Sequence, residues 1–310
     1  MSKLSIIIPV YFNEDNLLLL YEDLKSNVIT KVKDYEIIFV DDGSKDDSWG
    51  VMNKIAMNDI NVKCLKLSRN FGSHAAILAG LSYSTGNCAV IKAADMQEPS
   101  SIIIEMYKKW EEGNEVVLAV RKEREDKSLF SKIYYSIIKK FIFMSMPSDG
   151  FDIYLIDRKV IKEIDSLNEK NSALTLQILW CGFKTTEVEY IRKKREIGTS
   201  KWTLKKKIKL VVDSIVSFSY VPIRFMSFVG LLFFVISIIW MIYVLIAKII
   251  GSIAIEGYTT LIILILFSSG LIMLTLGILG EYIWRILDSS RNRPVYIVSE
   301  KGENYHDNDR

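Results

Sequence analysis

Three short segments of this 310-residue chain carry the side chains best suited to chemistry: Pro9-Val10-Tyr11-Phe12-Asn13-Glu14, Asp41-Asp42-Gly43-Ser44 and Ala94-Asp95-Met96-Gln97-Glu98-Pro99. Each directly follows an apolar, β-branched run. Asp95, Gln97 and Glu98 offer the carboxylate and amide oxygens that a hard cation such as Mg²⁺ takes, usually beside several waters. Arg121, Arg124, Arg195 and Lys201 supply positive charge. No Gly-x-Gly-x-x-Gly and no Gly-x-x-x-x-Gly-Lys-Ser/Thr occurs, so a dinucleotide cradle and a P-loop are both unsupported. Without a glycine cradle, a phosphorylated ligand needs its charge offset by a metal and by basic side chains. A metal bridging a diphosphate would stabilise it as a leaving group. One acidic strand end is commonplace as a turn or a helix cap; three on one edge would make a site.

The elements that must bring them together are legible in the hydropathy pattern. Strands are expected at Leu4–Val10, Glu36–Val40, Val62–Leu67, Cys88–Lys92 and Glu115–Val120. Helical patterns fill the gaps, from about Asp15 and notably over Ser73–Tyr83 and Ser100–Trp110. Strand–helix alternation predicts an α/β fold, a mainly parallel sheet with helices on both faces. Ligands of such sheets sit at the carboxyl ends of the strands, where the three segments fall.

Half of the chain is hydrophobic, and that half is unevenly spread. Phe225–Ala247 and Tyr258–Gly280 carry no charge, and each exceeds the roughly 20 residues a spanning helix needs. The short connector 248–257 makes them an antiparallel hairpin. Lysines 201, 205, 206, 207 and 209 with Arg224 precede it, and Arg285, Arg291 and Arg293 follow it. The positive-inside rule places both flanks in the cytosol, and the N-terminal region with them. Between the two regions, Thr203–Val221 repeats apolar residues at helical spacing among lysines. This suggests an interfacial amphipathic helix, with a helix packed on the soluble domain as the alternative. The expected organisation is a domain over 1–200, a juxtamembrane helix over 201–224, two transmembrane helices over 225–284, and a tail over 285–310 that is loose from Ser299. A net charge of +3 gives no argument for nucleic acid. Three dispersed cysteines and two histidines exclude a disulfide framework and a histidine metal cluster. The short apolar run at Leu4–Val10 is not a signal peptide.

These segments resemble the motifs of family 2 glycosyltransferases with the GT-A fold, within them the polyprenyl-phosphate branch that includes bactoprenol glucosyltransferases and dolichol-phosphate mannose synthase. Pro9–Glu14 resembles the family's P-V-Y-N-E, with Phe12 extra or substituted. Phe39–Ser44 matches V-D-D-G-S, and Ser68–Gly72 with Ala79-Gly80-Leu81 matches R-N-F-G…A-G-L. Asp149–Arg158 resembles D-F-x-L-x-x-R, and Arg195–Trp202 resembles R-x-x-G-x-S-K-W. The two-helix tail is also typical of the bactoprenol branch. The likeness covers roughly 3–290. One departure stands out: the family's D-A-D-L-Q-D-P here begins with Ala93 in place of aspartate.

The resemblance implies a multi-pass inner-membrane enzyme that moves glucose or N-acetylglucosamine from a UDP-sugar to undecaprenyl phosphate for cell-envelope glycosylation. Pro9, Tyr11, Glu14 and Asp41 or Asp42 would hold the nucleoside. Asp95 and Gln97, with Glu98 as a substitute ligand, would hold Mg²⁺ or Mn²⁺. Arg121, Arg124, Arg195, Ser200 and Lys201 would meet the acceptor phosphate, Arg195 and Lys201 foremost. Asp152 aligns with the family's conserved aspartate; it is a base, an organiser of acceptor and basic groups, or an ordinary strand-end residue. The family allows a tetramer. Two rivals are a non-catalytic nucleotide-sugar binder, suggested by Ala93, and a polysaccharide synthase, which would need the Q-x-x-R-W that Gln177-Ile178-Leu179-Trp180 lacks.

Overall fold

The computed structural model describes residues 2–122, 135–136, 138–140, 142–143, 146–147, 150–167, 169, 172–192, 211, 213–219, 221–250, 257–302 and 304–305. Two compact units emerge, Met1–Val211 with Pro294–Arg310, and Val212–Arg293.

In the first unit, strands β1 (Leu4–Val10), β2 (Tyr35–Asp41), β3 (Val62–Leu67), β4 (Cys88–Ile91), β5 (Val116–Arg121), β6 (Phe151–Asp157), β7 (Thr185–Tyr190) and β8 (Val298–Lys301) form one sheet, ordered β7-β5-β6-β4-β1-β2-β3-β8. β1, β2, β3 and β4 pair in parallel, as does β5 with β7. β6 lies antiparallel between β4 and β5, and β8 runs antiparallel to β3. Helices α1 (Glu14–Leu24), α2 (Ser48–Asn58), α3 (Ser73–Ser82), α4 (Ile102–Glu111), α5 (Arg158–Leu167) and α6 (Leu174–Trp180) connect them. The strand period of two sends alternate β1 side chains to opposite faces. Leu4, Ile6, Ile8 and Val10 join one core with Leu17 and Leu20 of α1, Met52 of α2 and Met106 of α4. Ile7 faces α3, where a Cβ on Gly80 would lie 2.3 Å from Ile7 Cγ2.

The chain winds outward from β1 through β2 to β3, then crosses to β4 on the other side of β1. This reversal is the switch point at which open α/β sheets bind ligands. Because β6 opposes both neighbours, its first residues reach the rim at which β1, β2, β4, β5 and β7 end.

Two sequence expectations change here. The segment expected to be loose from Ser299 is β8: Ser68 N–H donates to Ile297 O (2.9 Å), and the Asn304 amide donates to the carbonyls of Ala56, Asp59 and Val62 at 2.8–3.2 Å. A short polar edge strand buries too little to show an alternating apolar pattern. β6 and β7 also join the sheet beyond the five expected strands, and β6 is antiparallel.

The second unit holds α7 (Val221–Ile249) and α8 (Tyr258–Ser290). Phe233 and Phe267 pack with ring centroids 5.3 Å apart. At about 1.5 Å per residue, α8 is about 50 Å long, more than a bilayer's hydrocarbon core. Its polar last turns hold Arg285, which binds Asp213 Oδ1 at 2.7 Å and Glu281 at 3.0 Å. The expected amphipathic helix lies mostly outside the described residues, of which 213–218 are helical.

Candidate active site

The β1 and β2 ends are laced together. Phe12 N–H donates to Ser44 Oγ (3.0 Å), Asn13 N–H to Ser48 Oγ (3.1 Å), and Asp47 N–H to Glu14 Oε2 (2.6 Å). Phe12 lies in the left-handed region, φ 55°, and stacks edge-on against Tyr11. A bulky residue at positive φ is strained and persists where surrounding contacts over-determine it. Phe12 is thus accommodated as the apex of the turn. Glu14, expected at the nucleoside, has one oxygen engaged at the start of α2.

The two neighbouring aspartates differ in what they have left to offer. Asp42 accepts from Phe71 N–H (2.7 Å) and Gly72 N–H (2.9 Å), so both of its oxygens anchor the β3–α3 turn. Burial raises its carboxyl, and those two amide donors oppose the rise. Asp41 is fully buried: Oδ1 accepts from Ser44 N–H (3.0 Å), while Oδ2 has no hydrogen-bond partner. A buried, unsatisfied carboxylate oxygen is costly to keep and is free to accept from a ligand donor. Of the two expected donor-binding aspartates, Asp41 therefore has the open oxygen and Asp42 is a structural brace. Gly43, φ 70°, lets this turn lie against the Arg69–Asn70 backbone, which an added Cβ would meet at 2.6 Å.

The β4–α4 loop forms the other half. Asp95 Oδ1 accepts from Gln97 N–H (3.3 Å), and Met96 between them has φ 58°. Glu98, expected as a substitute metal ligand, points inward. Its carboxylate lies 3.7 Å from Lys92 Nζ and 3.6 Å from Arg192 Nη2, and Lys92 also donates to Glu98 O at 2.7 Å. Both Glu98 and Lys92 are buried, which pushes the carboxyl up and the ammonium down while their pairing opposes both shifts. Glu98 is thus paired with Lys92 and Arg192 within the loop, while its Oε2, like Asp41 Oδ2, is buried with no hydrogen-bond partner.

Asp152 stands at the start of β6 on a bulge, since Ala119 pairs with Ile153 and Val120 with Phe151. Bulges re-aim side chains and recur beside active sites. Its carboxylate accepts from Arg121 Nε (2.8 Å) and Nη2 and from Tyr190 OH (3.3 Å), and it lies 3.7 Å from Arg192 Nη1. Burial, with the Asp152 charge second, pushes the Tyr190 hydroxyl up, so it donates as a neutral phenol. The β4–β6 ladder ends at the Ile91–Tyr154 pair, and Ala93 and Asp152 follow it on the two strands, each two residues further toward the rim.

The structure thus brings Asp95, Gln97, Glu98, Arg121 and Asp152 to one stretch of rim, and Pro9, Tyr11, Asp41 and Asp42 to the adjoining β1–β2 stretch. Arg124, Arg195, Ser200 and Lys201 lie outside the described residues. The sequence reading missed Lys92, Tyr190 and Arg192. The alternation in Thr185–Tyr190 would have marked a strand, whose end puts Tyr190 and Arg192 on the same rim; nothing in the sequence shows that the buried Lys92 points at Glu98.

A family model described as glycosyl transferase family 2 matches residues 5–165, and one described as the GtrB C-terminal hairpin matches residues 221–286. An uncharacterized glycosyltransferase of Bacillus subtilis (strain 168) is 40% identical over 300 residues, 96% of this chain and 93% of that protein. A bactoprenol glucosyl transferase of Shigella phage SfV is 32% identical, covering 96% of this chain and 99% of its own. Among solved structures, glucosyl-3-phosphoglycerate synthase from Mycobacterium tuberculosis, in complex with Mn²⁺, UDP and glucosyl-3-phosphoglycerate, matches with a TM-score of 0.50 at 12% identity, covering 69% of this chain and 79% of that one. The sheet order and its switch point are those of the GT-A fold, and the family match makes the chain a glycosyltransferase. The chain belongs to glycosyl transferase family 2.

Proposed function

We propose that this enzyme transfers glucose or N-acetylglucosamine from a UDP-sugar to undecaprenyl phosphate, with inversion, at the cytosolic face of the inner membrane. The observation that carries this reading is the near-full-length likeness to proteins named bactoprenol glucosyl transferase, at 32% identity over 96% of this chain. The hairpin match over 221–286 supports a membrane-held acceptor. The chain leaves the first unit after Val211 and rejoins it at Pro294 to add β8. Lysines and arginines flank the hairpin on both sides in the sequence, which favours a cytosolic location for both flanks.

The residues support named roles. Asp41 Oδ2 is an acceptor for a nucleobase N–H, with Tyr11 and Pro9 beside it at the end of β1. Asp95 and Gln97 are oxygen donors of the class that hard divalent cations take, and diphosphate oxygens and waters would complete the shell. Mg²⁺ or Mn²⁺ bound there would neutralise charge on the departing nucleoside diphosphate. The acceptor phosphate is already an anion at neutral pH, so positioning and desolvation matter more than proton removal. Asp152, held by Arg121 and Tyr190 and near Arg192, fits the organiser of basic groups better than a free base. The S-K-W segment, with Arg195, Ser200 and Lys201, would grip the phosphate through charge-assisted hydrogen bonds.

The test is to incubate membranes containing the protein with radiolabelled UDP-glucose or UDP-N-acetylglucosamine and undecaprenyl phosphate, with and without EDTA. Labelled lipid from one donor, lost with the chelator and restored by Mg²⁺ or Mn²⁺, is expected. Absence of labelled lipid from either donor would overturn the proposed donor and acceptor.

A further inference from the structure

We propose that Arg192 is a positioning residue that clamps the cation-binding loop of β4 to β6 and sets that loop's grip on the nucleotide diphosphate. The inference rests on the donor-site reading above. Arg192 lies two residues beyond β7, yet its guanidinium reaches three side chains at this rim, Gln97, Glu98 and Asp152. Nη2 donates to Gln97 Oε1 (2.5 Å) and lies 3.6 Å from Glu98 Oε1, while Nη1 lies 3.7 Å from Asp152 Oδ2. Glu98 is held from its other side by Lys92.

The pattern has more specificity than an ion pair that merely secures the fold. Lys92 already provides the fully buried partner of Glu98, so the loop has a counter-charge without Arg192. What Arg192 adds is a hold on the Gln97 amide. Gln97 is one of the three expected ligand-bearing residues, with Asp95 and Glu98, and with Ala93 in place of an aspartate the loop has few ligands to spare. By donating to Gln97 Oε1, the guanidinium fixes the direction of that oxygen, whose second lone pair stays available. By also reaching Asp152, it ties the loop to the bulge of β6. The five donors of the planar fork allow both tasks at once, whereas an ammonium cannot span them. Arg192 Nε is buried and has no hydrogen-bond partner, a donor still in hand.

Groups that orient a metal ligand from behind usually change metal affinity about ten- to a hundredfold when altered. The experiment measures UDP binding to the full-length protein in detergent by calorimetry, in EDTA and across a Mn²⁺ titration, for wild type, Arg192→Lys, Gln97→Ala and the double variant. Arg192→Lys is expected to leave UDP binding in EDTA within about twofold. It should raise the Mn²⁺ concentration needed for half-maximal enhancement about tenfold, and add little to Gln97→Ala, because both remove one link. An unchanged Mn²⁺ curve in Arg192→Lys would overturn the proposal, as would fully additive effects in the double variant. If Arg192→Lys does not fold, Gln97→Ala decides: an unshifted Mn²⁺ curve there removes the loop's ligand and the clamp's purpose with it. Wild type that shows Mn²⁺-enhanced UDP binding but makes no labelled lipid overturns the acceptor assignment and leaves the Arg192 inference standing. Wild type without Mn²⁺-enhanced UDP binding overturns both.

Discussion

At the residue scale, neighbours of one chemical type have opposite duties. Asp41 keeps an unpartnered buried oxygen, and Asp42 spends both of its oxygens on Phe71 and Gly72. Asp41→Asn should weaken UDP binding by roughly tenfold or more with little change in melting temperature, because an amide keeps the shape and loses the charged acceptor; calorimetry with a thermal melt checks both. Asp95→Ala is expected to abolish transfer and leave membrane insertion intact, and retained transfer would remove Asp95 from the mechanism. Away from the site, Glu36 is almost fully buried, bonded to Ser5 and Thr85 and paired with Lys3 and Lys63. Burial alone would raise its carboxyl, but these partners outweigh it and hold it below the ordinary glutamate value of 4.5. A depressed carboxyl stabilises the fold above its unfolded value and loses that stabilisation as pH falls through the folded one. Glu36→Gln should therefore cost about 3 kcal/mol at pH 7, and its gap from wild type should narrow progressively as pH drops below 4.5; denaturant melts across acid pH would show it. Residue types at the rim were legible in the sequence. The direction each side chain takes was not, because it depends on which distant backbone amide lies within reach.

At the element scale, the five parallel strands were readable because they are buried on both faces and are rich in apolar, β-branched residues, although β3 carries Lys63 and Lys66. β6 carries a bulge at Asp152, and β8 is a short polar edge strand with a weak one-dimensional pattern, whereas the alternation of β7 was there to be read. Helix α3 lies so close to β1 that Gly80 has no room for a side chain. Gly80→Ala should destabilise by about 1–3 kcal/mol through overpacking, read as a lower denaturant midpoint with an unchanged slope. The turn at Gly43 is more constrained, since its positive φ and its approach to the Arg69–Asn70 backbone act together.

At the scale of the whole molecule, the chain crosses from a sheet domain to an apolar hairpin and returns to finish the sheet it began. Asn304 satisfies three backbone carbonyls around the α2–β3 connection. Asn304→Ala should lower the stability of the sheet unit by about 1–3 kcal/mol, and a thermal melt of the purified protein checks this. The sequence by itself determined what depends on local composition: an α/β unit, two apolar helices of spanning length, and acidic and amide residues at strand ends. Hydrophobic periodicity and helix length are properties of contiguous residues, so one dimension suffices for them. Only the tertiary structure decided that the tail is β8, that Glu98 faces Lys92, that Asp42 braces a turn, and that Arg192 meets Gln97 and Asp152. Those outcomes depend on pairing between residues far apart in the chain, with directions set by strand register and by the cost of leaving a buried polar group unsatisfied.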